Sequence, residues 1–147
     1  MPPPAWLADE AALDAFIAAW RAGTLPKPEW THAAHVGVCA WHAWDGAALE
    51  AVFAAMKRGI TAYNLAVGTA NTATSGYHET LTRFWVGVVV AHGRQARAAT
   101  RLEAVRSAVA AYGTARGLHS EYYGFDVVND SRARAAWVPP DRRPAPG

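Results

Sequence analysis

Cys39 is the only cysteine in the chain, so an intramolecular disulfide is excluded and a reducing compartment is expected. Long apolar runs are missing too. The best candidate is cut by Arg83, His92 and Arg94, short of the roughly 20 residues a membrane span needs. The opening Met-Pro-Pro-Pro-Ala-Trp has neither the basic stretch nor the apolar core of a secretion signal. No segment alternates apolar and polar residues cleanly, and no repeat of roughly 20–50 residues is visible. Charge is sparse, at 18% of residues with a formal net charge of +2. These absences predict a soluble cytoplasmic protein that partners neither nucleic acid nor membrane.

What is present describes one globular unit. The 147 residues are 52% hydrophobic and include 7 tryptophans, enough to build a single buried core. The charge is unevenly spread. Residues 1–73 carry four basic and six acidic side chains, whereas residues 74–147 carry ten arginines against six acids. That basic second half permits an anionic substrate but falls short of a nucleic-acid footprint.

Apolar periodicity reads as helix throughout. Leu13, Phe16, Ile17 and Trp20 share one face of a helix from about Asp9 to Arg21, stopped by Gly23. After the stiff Leu25-Pro26-Lys27-Pro28 connector, Thr31 caps a second helix through Trp44, apolar nearly all round and therefore central. A third contains Leu49, Val52, Phe53 and Met56; Arg58-Gly59 either stops it or lets it continue through Ile60, Tyr63, Asn64 and Val67. Ser75 is the expected cap of a fourth, Tyr77 to about His92, in which Tyr77, Leu81, Phe84 and Val88 keep the helical period despite the valine-rich stretch. A fifth spans about Gln95 to Arg116, with Arg94, Arg97 and Arg101 on its wet face. An irregular aromatic stretch (118–130) and a short helix from Ser131 to Trp137 follow. The expected architecture is all-α: a single-domain bundle of about five or six helices over residues 1–138, with a proline-rich tail at 139–147.

Histidine marks the candidate chemistry. His32 and His35 lie three residues apart at a helix start, about 60° apart on its surface, and can share one target. His78 follows a polar loop and shares a face with Thr82 and Trp85, a mixed lining suited to a pocket wall. Convergence of the two helix starts would assemble His32, His35 and His78 as metal ligands with open positions for water or substrate. Glu79 would serve beside His78 as a fourth ligand or a general base, unless it merely pairs with Arg83 one helical turn on. Tyr77, Asn64 and Thr82 would supply hydrogen bonds, with Trp41, Trp85 and Tyr63 as apolar walls; Asn64 could equally brace the following loop. His35, Cys39 and His42 are too spread along one helix for a single ion, and His92 and His119 read as structural or solvated.

Trp30-Thr31-His32-Ala33-Ala34-His35, Tyr63-Asn64, Gly76-Tyr77-His78-Glu79-Thr80-Leu81-Thr82 and Ala136-Trp137-Val138-Pro139-Pro140-Asp141 resemble the motifs of a group of short bacterial proteins. The likeness spans roughly residues 30–141 and implies no particular activity, because none attaches to that group. Three functions stay open on the residues. One is a metal-dependent enzyme acting on a small organic molecule, hydrolytic with zinc and oxidative with iron or copper. Another is a metal-free lyase or isomerase, with His78 as acid–base and Glu79 or Asp126 as its orienting partner. The last is a helical ligand-binding module without catalysis.

Overall fold

In the computed structural model, which describes residues 3–147, six α-helices and three short 3-10 turns make up the regular structure, with no β-strand among the described residues. The helices are α1 (Glu10–Ala22), α2 (His32–Ala43), α3 (Leu49–Ala66), α4 (Glu79–Ala96), α5 (Arg101–Tyr112) and α6 (Ser131–Ala135). The all-α expectation holds. Helix α2 is the centre of the bundle and packs on α3, α4 and α5. Its Val36, Val38, Cys39 and Ala40 are all buried, as an almost wholly apolar helix requires. No helix among the described residues is long and apolar enough to cross a membrane.

Local signals account for most helix ends. Asp9 accepts the Ala12 N–H at 2.8 Å to start α1, and Gly23 closes it in the left-handed conformation (φ 73°). Thr31 Oγ1 accepts the Ala34 N–H at 3.2 Å and starts α2. Helix α3 runs straight through Gly59. The Trp20 ring occupies the space a side chain would need there, a Cβ falling 2.1 Å from Trp20 Cη2. Gly59 is therefore a packing residue, which permits the close contact between α1 and α3.

Two starts differ from expectation. Helix α4 begins at Glu79 with His78 as its cap, not at Ser75, and continues past Gly93 to Ala96. Helix α5 begins only at Arg101, where Thr100 Oγ1 accepts the Glu103 N–H at 3.1 Å and the Glu103 carboxylate accepts the Ala99 N–H at 3.1 Å. Beyond α5 the chain wraps back over α4. Tyr122, Tyr123, Val127 and Ala133 bury themselves with Phe84 and Val88 in a second apolar cluster. The proline-rich end is docked on the fold: the Arg142 N–H donates to Tyr122 O at 2.9 Å, and the Pro146 backbone lies where a side chain on Gly87 would fall.

Candidate functional site

Helices α2, α3 and α4 leave a cavity of about 470 Å³ between them, closed on one side by the chain after α5. That volume is within the range of small-molecule sites, roughly 300–1,000 Å³. Its floor is apolar, formed by Val36 and Cys39 of α2, Met56 and Ile60 of α3, and Val86 and Val89 of α4. Trp30, Tyr77 and Trp85 form aromatic walls, and His32, His35, Asn64, Thr69, Thr82 and His119 bring polar atoms to the surface.

The histidine tautomers follow from their partners, because a carbonyl oxygen only accepts. His35 Nδ1–H donates to Thr31 O at 2.8 Å, so Nε2 carries the lone pair, and the ring stacks on Trp30 with centroids 3.7 Å apart. Burial pushes the His35 pKa down to about 4; the bond to Thr31 opposes this, while the charges of His32 and Arg116 add to it. His32 Nε2–H donates to Tyr112 O at 3.1 Å, leaving Nδ1 free, with the ring edge-on to Trp85 at 4.6 Å. Its pKa is also lowered, chiefly by burial, against the Tyr112 bond and with a contribution from Arg116. Both rings are neutral at physiological pH, each with one unshared lone pair.

His78 lines the same cavity but has no nitrogen to spare. Its Nδ1 accepts the Leu81 N–H at 3.1 Å as the cap of α4, and its Nε2–H donates to Val127 O at 2.9 Å. Burial, as the largest cause, lowers its pKa. An imidazole with both nitrogens bonded to backbone can neither ligate a metal nor move a proton without giving up one of those bonds. Of the expected His32, His35 and His78 ligand set, only His32 and His35 keep a ring nitrogen without a partner among the described residues. No group of three or more His, Cys, Asp or Glu among the described residues is placed to hold a metal ion.

Glu79 also departs from the expected role. Its carboxylate accepts from the Tyr77 hydroxyl at 2.7 Å and pairs with Lys57 of α3 at 3.1 Å, behind the cavity wall. Burial, followed by the Glu79 bond and charge, raises the Tyr77 pKa. Arg83, the alternative partner of Glu79, pairs with Glu50. Tyr63 is core, not wall: it is 1% exposed and its hydroxyl donates to Leu25 O at 2.7 Å. Trp41 does not line the cavity; the guanidinium groups of Arg21 (4.5 Å) and Arg101 (4.0 Å) lie against its ring.

Asn64, Thr82, Tyr77 and Trp85 line the cavity. Asn64 does so while bracing the loop. Its Nδ2 donates to Asn71 Oδ1 at 3.0 Å, and that same oxygen accepts the Tyr77 N–H at 3.0 Å. Several wall residues had escaped the sequence reading, including Thr69, Arg116, His119 and Arg134. His119 donates its Nδ1–H to Arg116 O at 3.2 Å, and the buried Thr69 hydroxyl has no partner among the described residues. Only the irregular aromatic stretch around His119 hinted at them, as such long loops often serve function.

Compared with protein-family models, with curated proteins and with solved structures, the chain matches none.

Proposed function

We propose that this protein binds a small organic molecule in the α2–α3–α4 cavity and moves a proton on it, with His35 as the base. The reaction class would be that of an isomerase or a lyase. A single observation carries this reading: His35 Nδ1–H is tied to Thr31 O at 2.8 Å, leaving the Nε2 lone pair at the cavity wall with no partner among the described residues. A general base must be unprotonated and within reach of the proton it takes. Burial keeps His35 neutral, and negative charge on a bound substrate would draw its low pKa back towards physiological pH. The Trp30 ring holds the imidazole plane, while the Thr69 hydroxyl, without a partner among the described residues, offers a bond to substrate oxygen.

Exchange of carbon-bound hydrogen for solvent deuterium tests this reading directly. A panel of small 2-oxo and 3-oxo acids would be incubated with protein in D2O and followed by proton NMR. Wild-type protein is expected to accelerate exchange on at least one member, and His35→Gln to slow it by about 100-fold, the lower end of general-base contributions. Equal exchange with both proteins, or no protein-dependent exchange across the panel, overturns the reading.

A second reading adds a metal. His32 and His35 each donate one ring N–H to a backbone carbonyl and keep the other nitrogen free, an arrangement that orients metal-ligating histidines. Zinc, iron or copper would suit two imidazoles, with water or substrate completing the coordination and His78 outside it. Elemental analysis of protein purified without a nickel column is expected, on this reading, to find about one equivalent of metal in wild type and little in His35→Ala. Metal-free wild-type protein rules it out.

A further inference from the structure

The cations around the cavity say more about the ligand. Lys27, Arg116 and Arg134 all line it, and no Asp or Glu does among the described residues. Among the described residues none of the three has a carboxylate partner; the ion pairs there join Lys57 to Glu79, Arg83 to Glu50 and Arg143 to Glu121. Among the described residues Arg134 spends only Nη1, at 2.7 Å from Gly76 O and 3.4 Å from Tyr77 O, so Nε and Nη2 have no partner there. The Arg116 side chain makes no hydrogen bond among the described residues, although its charge reaches both His32 and His35. Guanidinium groups normally find carboxylates or phosphates, which match their fork of donors.

The interior has the opposite character. Val36, Met56, Ile60, Val86 and Val89 offer an apolar floor and Trp30 and Trp85 flat walls, so the deep part of the cavity favours a hydrocarbon or ring. The buried Thr69 hydroxyl without a partner is a polar atom left for a ligand to satisfy. We propose that the cavity takes a small amphipathic organic anion, its apolar body between the tryptophans and its carboxylate or phosphate against Arg116, Arg134 and Lys27. This inference rests on the reading of the cavity as a ligand site and adds its charge selectivity.

Three probes with one tail separate the possibilities: 3-phenylpropionate, 2-phenylethyl phosphate and the neutral 3-phenylpropionamide, titrated calorimetrically at low and high salt. Both anions are expected to bind at least about tenfold more tightly than the amide at low salt, and to lose most of that advantage at high salt. The tighter of the two anions identifies the preferred head group. Arg116→Gln, at an exposed side chain, is expected to weaken the anions by about tenfold and leave the amide unchanged, while Arg132→Gln outside the cavity changes neither. Amide and anions binding alike, or anions insensitive to Arg116→Gln, would overturn the charge selectivity and leave the ligand site standing. If none of the three bound at millimolar concentration, the ligand-site reading would fail with it.

Discussion

Lowering the pH from 7 to 4.5 is expected to remove about 2–3 kcal/mol of folding stability, with His35 as the largest contributor. The sign follows from its environment. In the unfolded chain His35 titrates at its ordinary value of 6.5, whereas in the fold burial holds it at about 4. Between those values the unfolded state binds a proton that the folded state refuses, so stability rises with pH across the window. The contribution is fully present above pH 6.5, declines as the pH falls and levels off near pH 4. A difference of about 2.5 units corresponds to about 3.4 kcal/mol at 1.36 kcal/mol per unit. Part of that falls outside the interval from pH 7 to 4.5, and water admitted to the cavity beside the ring screens the rest, so His35 itself accounts for about 1–2 kcal/mol of the expected loss.

His32, His42 and His78 are shifted in the same direction, each chiefly by burial, and steepen the same slope. The two carboxylates with lowered values, Glu50 and Asp126, add to the slope only as the pH nears their ordinary values of 4.5 and 3.8, so the points from pH 7 down to 5 report chiefly the imidazoles. Urea midpoints at pH 7, 6, 5 and 4.5 measure the slope, and His35→Gln should flatten it. A midpoint that stayed constant, or rose on acidification, would mean these rings are solvated in the fold.

How far the sequence speaks for this fold depends on the range of the interaction concerned. Thr31 and Asp9 cap their helices through bonds three residues away, so both starts were legible. The cap of α4 was misplaced by three residues because histidine is not a favoured cap, and nothing local announces that Val127 will bind its other nitrogen. Gly59 reads as a break until Trp20, on another helix, is seen to need the space.

The same limit applies to the site. His32 and His35 were identifiable as a pair because one helical turn joins them. The sequence offers Trp41 as a wall residue and the fold sets it elsewhere, because a helix that is apolar nearly all round carries no signal for which face meets a cavity. Arg116, His119 and Arg134 come to the cavity only because the chain after α5 doubles back over α4, a long-range event with no local pattern. The sequence singles out His78 by its place at a helix start, and the fold gives both its ring nitrogens to backbone. Its ring joins α4 to the returning segment.

That observation generalises to the rest of its motif, and Thr80 gives the sharpest test. Thr80 is 0% exposed; its hydroxyl donates to Ala136 O at 2.9 Å and accepts the Val138 N–H at 3.0 Å. Tyr123, through its own hydroxyl, donates to Val138 O at 2.7 Å from the other side. Thr80 and Tyr123 thus form a clasp on Ala136 and Val138, holding the C-terminal segment against the start of α4. Thr80→Val keeps the shape of the side chain and removes both bonds. Each partner left unsatisfied costs about 1–3 kcal/mol, less where the exposed Ala136 can recruit water, so the substitution is expected to cost about 2–4 kcal/mol in urea unfolding. Thr80→Ser restores the hydroxyl and should recover most of the loss. A clasp loosened in this way also exposes the segment after Ala136 to protease before the bundle itself unfolds. Because Arg134 sits at the edge of that segment with its guanidinium at the cavity, anion binding should weaken in Thr80→Val in step with cleavage. A valine variant as stable as wild type, within about 0.5 kcal/mol, would leave Thr80 without the structural role assigned here.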